Sequence, residues 1–358
     1  MDFSKSVLIF ADMSRAHTAT AVKESILKTD SQARVIIIDD MTLHSAPALD
    51  FAEKLLGLKI NRDRKKAVKF EENLDKRMDA VPHSSNEFKG DVGSYEKMKE
   101  IIDRIKPFLI ITIGYGAFNE AIAVRDMEKL DCKVINVVDE YVLNNALINT
   151  YMDGYIVENE GVKQKLIDNG VDSQKIAIAH LPIRRTYLEP LTEDINVNVR
   201  LNKKWPKILY FADKEGVEHE KVFHVLKNYL LKYDIFIYCG SNRELYQSAL
   251  KNGLRAYNEG ISLPHLYEFA DVVLTAPTSR NVSIARAKGK LVALLNSEYE
   301  LEKRNAEYLK DFTVDCSDEV KLKLFLECYP TPDYKALAEA SRTQYVITAS
   351  DALSALFD

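Results

Sequence analysis

The stretch from Lys106-Pro107 to Leu181-Pro182-Ile183 decides the fold. Within it Phe108-Leu109-Ile110-Ile111-Thr112-Ile113, Val134-Ile135-Asn136-Val137-Val138 and Gly154-Tyr155-Ile156-Val157 are short apolar runs of strand length. Glu160 to Asn169 has helical spacing and is stopped by Gly170. Apolar runs alternating with longer helical patterns are the mark of parallel βαβ units.

The same rhythm extends toward the N-terminus. Val7-Leu8-Ile9-Phe10 reads as a first strand, and Thr18 to Leu27 as a helix with Ala19, Val22, Ile26 and Leu27 at helical spacing. Val35-Ile36-Ile37-Ile38 is a continuous β-branched run, which predicts a strand covered on both faces. Tyr95 to Ile105 is again helical. Between them Asp50 to Asp79 breaks the pattern: Phe51, Leu55, Leu56, Leu58 and Ile60 are followed by Arg62, Arg64, Lys65, Lys66 and Lys69.

Toward the C-terminus, Arg184 to Pro206 lacks periodicity and contains Pro190 and Pro206, so it reads as a linker. A second series follows. Ile208 to Phe211, Ile235 to Tyr238, Val272 to Leu274 and Leu291 to Leu295 are strands, with a helix from about His219 to Leu231. Tyr334 to Leu356 reads as one long helix, expected to pack across a domain junction. The resulting division is an N-terminal Rossmann-like domain over 1–183, a linker over 184–206, a second Rossmann-like domain over 207–333 and a C-terminal helix over 334–358.

The 358 residues suffice for two domains with separate cores. A net charge of -5 argues against general nucleic-acid binding. No apolar run approaches the roughly 20 residues of a membrane span. Met1-Asp2-Phe3-Ser4-Lys5-Ser6 leads into the first strand without a signal-peptide apolar region. Cys132, Cys239, Cys316 and Cys328 have no paired spacing, and Cys132 and Cys239 belong to apolar runs as buried thiols. His44, His83, His180, His219, His224 and His265 form no ligand spacing, so no metal and no cofactor is expected. These features suit a reducing cytoplasm.

Several fragments together resemble the family of processive diacylglycerol glucosyltransferases and plant monogalactosyldiacylglycerol synthases. They are Lys106-Pro107, Val137-Val138-Asp139-Glu140-Tyr141, Asp153 to Val157, Glu160 to Gly170, and the Pro182-Ile183 turn ending at Tyr187. In the second half they are Cys239-Gly240-Ser241-Asn242, Ala270-Asp271-Val272-Val273 and Asn305-Ala306-Glu307-Tyr308-Leu309. The resemblance implies a GT-B fold: two Rossmann-like domains with an interdomain cleft, the C-terminal one holding a UDP-sugar donor. It also implies a lipid or glycan acceptor.

On that resemblance His17, after the first strand, stands at the end of a loop that is glycine-rich in similar proteins but reads Ser14-Arg15-Ala16 here. Its imidazole suits removal of a proton from an acceptor hydroxyl. Glu140 falls where the family carries an acid after a buried strand, a second catalytic candidate. For the donor, the resemblance points to Gly240, Ser241 and Asn242, to Thr278, Ser279 and Arg280, and to Glu302 and Asn305. The family's Pro-Gly-Gly turn, which meets a diphosphate at a helix N-terminus, is Pro277-Thr278-Ser279 here. Ile284 replaces its ribose-binding Glu, and Leu301 a Gln.

The apolar and basic stretch 51–69 implies peripheral contact with the inner face of an anionic membrane, although a solvated surface helix has the same pattern. Two functions remain: a divergent, metal-independent hexosyltransferase, or a non-catalytic GT-B protein that partners an active glycosyltransferase. A sugar-nucleotide epimerase on the same fold is disfavoured, because its acidic and His groups are not evident at matching positions.

Overall fold

The computed structural model describes residues 6–43, 92–115, 117–191, 204–213, 216–342 and 348–357. The 51–69 stretch, His44 and His83 lie outside the described residues. The chain divides into two compact units, Met1–Arg184 with Tyr345–Asp358, and Arg185–Gln344.

The first unit holds β1 (Ser6–Ala11), α1 (Ala16–Thr29), β2 (Arg34–Asp39), α2 (Val92–Ile105), β3 (Leu109–Ile113), α3 (Phe118–Met127), β4 (Lys133–Val137), β5 (Gly154–Val157), α4 (Glu160–Asp168) and β6 (Ile176–Ile178). Its strands form one parallel sheet in the order β2-β1-β3-β4-β5-β6, with Val7 opposite both Val35 and Leu109. Alternation along each strand divides the apolar residues between two faces. Leu8, Phe10, Ile110, Val134 and Tyr155 meet Met98, Phe118 and Leu166 in one core. Val7, Ile9, Leu109, Ile111 and Ile135 meet Val22, Ile26 and Leu353 in the other.

The second unit holds α5 (Arg185–Leu188), β7 (Lys207–Phe211), α6 (His219–Leu226), β8 (Asp234–Tyr238), α7 (Arg243–Lys251), β9 (Arg255–Tyr257), α8 (Leu263–Phe269), β10 (Val272–Thr275), α9 (Ser279–Ala287), β11 (Leu291–Leu294), α10 (Glu300–Leu309), β12 (Val314–Asp315), α11 (Glu319–Cys328) and α12 (Pro332–Ser341). Its parallel sheet runs β12-β11-β10-β7-β8-β9. Each sheet reverses its strand order once, between β1 and β3 and between β7 and β10. Open α/β sheets bind ligands beyond the carboxyl ends of the strands at such a reversal.

The C-terminal segment differs from the expected single helix over Tyr334 to Leu356. It is two helices, α12 and then α13 (Ala349–Phe357), with Arg342 and Thr348 outside both. Tyr334, Leu337 and Ala338 pack on the second unit's core, whereas Ala349, Ala352 and Leu353 are buried in the first unit. The Thr348 hydroxyl and N–H both donate to Asp351, at 2.7 and 2.8 Å, and start α13 afresh. The segment expected as a plain linker contains the short α5, and residues 192–203 within it lie outside the described residues. Cys132, Cys239 and Cys316 are buried, and Cys328 is exposed.

Candidate functional site

In the first unit the chain leaves β1 at Ala11 and turns through Met13–Arg15 into α1. Asp12 organises that turn. Its Oδ1 accepts the N–H groups of Ser14 at 2.7 Å and Arg15 at 3.2 Å, and the Ser14 hydroxyl at 2.5 Å. Arg15 folds back over the turn, its Nη1 at 2.5 Å from Asp12 Oδ2 and its Nε at 3.3 Å from Asp139 Oδ1. The Thr18 hydroxyl, on the first turn of α1, donates to the other Asp139 oxygen at 3.5 Å.

Gly114, which follows β3, makes room for this arrangement. Its φ is +85°, and a Cβ there would stand 2.9 Å from Arg15 Nε. Burial raises the Asp139 pKa, with Arg15 opposing that rise. Burial also acts to raise Asp12, but the Arg15 charge and the Ser14 bonds overcome it and hold Asp12 below its ordinary value.

His17 is the second residue of α1 and is half-buried, and Glu140 is half-buried beyond the end of β4. Asp139 joins their two segments through Arg15 and Thr18. The sequence reading singled out His17 and Glu140 but not Arg15. The available signal was a cation in the turn between a buried strand and a helix.

In the second unit β10 ends at Thr275, and Ala276-Pro277-Thr278 leads into α9. Thr278 occupies the N-cap position at 6% exposure, yet its hydroxyl caps nothing and finds no partner among the described residues. Ser279 is buried and Arg280 is exposed. From α10, the Asn305 amide donates to Pro277 O at 3.1 Å and to the Ser279 hydroxyl at 3.2 Å. Glu302, one turn earlier on α10, is buried too. Ile284 is buried in α9.

Phe211 and Tyr238, at the ends of β7 and β8, stand 5.6 Å apart between ring centroids, and Phe211 and Tyr267 5.2 Å apart. Burial pushes the Tyr238 hydroxyl up to about 12, Asp213 and Glu259 adding to the rise and Arg280 opposing it. Phe211 and Tyr238 thus stand at the carboxyl edge of the sheet. Gly240 has φ +56°, and a Cβ there would lie 3.0 Å from Asp213 Cβ. The Asn242 side chain accepts the Leu245 N–H at 3.0 Å and so caps α7, while Ser241 is exposed.

The structure thus brings Thr278, Ser279 and Asn305 together at the start of α9. The amides of a helix's first turn, a hydroxyl and an exposed guanidinium match the chemistry of a phosphate. Among the described residues no group of three or more His, Cys, Asp or Glu is arranged to hold a metal ion.

Residues 16–183 match the family model for monogalactosyldiacylglycerol (MGDG) synthase. The processive diacylglycerol β-glucosyltransferase of Bacillus licheniformis is 25% identical over 228 residues, 60% of this chain and 58% of that protein. The match therefore spans less than two thirds of that relative's length. Among solved structures, a UDP-GlcNAc 2-epimerase from Neisseria meningitidis bound to UDP-GlcNAc aligns with 98% of this chain and 99% of its own, with TM-score 0.63 and 14% identity. MurG of Acinetobacter baumannii aligns over 98% of both chains, with TM-score 0.59 and 12% identity. At such identities the structural likeness establishes the fold alone: two Rossmann-like α/β domains of the GT-B class. In sequence the chain is thus similar to monogalactosyldiacylglycerol synthases over residues 16–183 and to processive diacylglycerol β-glucosyltransferases over 228 residues. No described helix is long and apolar enough to cross a membrane.

Proposed function

We propose that this chain is a divergent glycosyltransferase that moves a hexose from a UDP-sugar to a hydroxyl of a lipid or glycan. The observation that carries the proposal is the start of α9, where the buried Thr278 hydroxyl finds no partner among the described residues and stands beside helix amides and the exposed Arg280. The relatives named for diacylglycerol glucosyl transfer support the choice of reaction and of a lipid acceptor.

In this reading the amides of α9 and Arg280 bind the diphosphate and stabilise the oxygen that leaves the sugar, with no metal ion required. Neutral His17 takes the proton of the acceptor hydroxyl as that oxygen bonds the anomeric carbon, and UDP departs with the electrons of the broken bond. Glu140 assists at the acceptor. The protein works in the cytoplasm, peripheral on the inner face of the membrane, with residues 51–69 in contact with lipid.

A specific feature favours a second reading. Ile284 is buried on α9 and accepts no hydroxyl hydrogen bond, so a ribose held there finds no acid. A chain without donor binding is a non-catalytic partner or regulatory subunit of an active glycosyltransferase.

Thermal unfolding against UDP, GDP, CDP and their sugar conjugates tests the choice. A nucleotide at about 100 times its Kd stabilises the protein by roughly 2.7 kcal/mol. A shift with UDP that Ser279→Asp and Arg280→Ala abolish supports the transferase, and turnover of a UDP-sugar with diacylglycerol completes the case. No shift at millimolar nucleotide, with copurification of a complete glycosyltransferase, selects the second reading.

A further inference from the structure

We infer that Asp40 is a proton-carrying positioning residue for the turn between β1 and α1: neutral, it leaves Asp12 free to hold Arg15 and the turn that carries His17, and ionised, it opposes Asp12 and loosens that turn. The inference deepens the proposed role of His17 and rests on it, although its first readouts do not.

Asp40 directly follows β2 and is 1% exposed, and its Oδ1 has no hydrogen-bond partner among the described residues. In the parallel register of β1 and β2, Ala11 lies opposite Asp39. Asp12 and Asp40 therefore leave neighbouring strands at the same step of the sheet edge. Asp12, from the end of β1, Asp39, from β2, and Glu120, from the first turn of α3, all bring negative charge toward Asp40, and Arg15 alone of the named groups opposes them. From α2, Lys97 Nζ reaches the carbonyl of Thr42 at 3.3 Å, two residues beyond Asp40.

The cluster cannot ionise completely at low cost. Asp12 as an anion is compensated by Arg15 and by the N–H and O–H groups of Ser14. Asp139 as an anion has Arg15 and Thr18. Asp40 Oδ1, buried and without a partner among the described residues, has no such compensation, so the proton stays on Asp40. Burial first, then Asp12, pushes its pKa up to about 7. Above that point a second anion stands beside Asp12, and the repulsion is relieved when Asp12 releases the amides of Ser14 and Arg15.

The test is an NMR titration of the side-chain carboxyls of the full chain, with the Asp40 resonance assigned through bonds from its own backbone and Asp40→Asn as the control. The expected result is an Asp40 midpoint near neutrality, with amide protection of residues 14–18 falling through the same window after correction for intrinsic exchange. In Asp12→Asn the Asp40 midpoint should move down, because a neighbouring negative charge is gone. Asp40→Asn should make the protection independent of pH over that range. A midpoint near the ordinary carboxylate value, or the same pH-dependent protection in Asp40→Asn and the parent, would overturn the inference. If Asp40→Asn fails to fold, the parent titration and the Asp12→Asn shift still decide. Absence of sugar transfer overturns the proposed function without touching these titrations. If turnover is found, the kcat–pH profile should lose its limb near neutrality in Asp40→Asn, with KM for the donor unchanged.

Discussion

Arg15 and Asp139 lie 124 residues apart in sequence and meet with 3.3 Å between Nε and Oδ1. The pair ties the turn after β1 to the segment after β4, across the exit of β3 at Gly114. In the family that this chain resembles, the turn is rich in glycine; here a side chain fills the space and a distant carboxylate holds it.

Gly114→Ala is expected to destabilise the first unit by about 1–3 kcal/mol, because alanine strains at positive φ and its Cβ presses on Arg15. Adding Arg15→Ala removes the steric part, so the double variant should lose less than the sum of the single losses. Urea unfolding of the four proteins measures this coupling. Strict additivity would mean that Arg15 is not held against Gly114.

Asp40 makes stability depend on pH with a definite sign. Its folded pKa of about 7 lies above its ordinary 3.8, so the contribution is complete below about pH 4 and is lost as pH rises through 7. The full effect is about 4 kcal/mol at most. Between pH 4 and 8 the melting temperature of Asp40→Asn should fall less than that of the parent, and parallel curves would remove Asp40 from the account.

Asn305 donates to two acceptors at the start of α9, both in buried surroundings. Asn305→Ala leaves them without that donor and should cost about 1–3 kcal/mol. Asn305→Asp keeps the shape but cannot donate to Pro277 O, so it should lose at least as much at pH 7. Chemical unfolding gives the losses. A nucleotide-induced melting shift, if the parent shows one, should shrink in both variants.

Leu353 is fully buried in the first unit although it follows the whole second unit in sequence. Leu353→Ala should cost about 2–5 kcal/mol through the cavity it leaves. Hydrogen exchange should speed up in β5 and β6, the strands that α13 covers. Unchanged protection there would mean that α13 contributes little to this core.

The central strands were legible because a parallel strand buried on both faces must be apolar along its whole length, as Leu109 to Ile113 is. Val35 to Ile38 reads the same way, yet β2 is an edge strand that leaves Ile37 exposed, so the expected cover on both faces is not found there. The strands that escaped the reading were β6, β9 and β12, with three, three and two residues at or next to the sheet edges. Too short for a period, they take their strand conformation from the neighbour they pair with. The break between α12 and α13 did have a local signal, the Thr348-Ala349-Ser350-Asp351 capping pattern, which the long helical period obscured.

His17, Glu140 and the Thr278–Arg280 turn were legible as positions, since each follows an apolar run where strands of such sheets end. Their partners were not. By itself the sequence determined the two α/β series, their strand-ending turns and the loss of the glycines and the ribose acid. Only the tertiary structure decided that Arg15 meets Asp139, that Asn305 meets Ser279, and that Asp40 is buried beside Asp12. Helix and strand periods are written in near neighbours along the chain, whereas an ion pair or a raised pKa depends on which strand ends the sheet order sets side by side and how deeply they are buried.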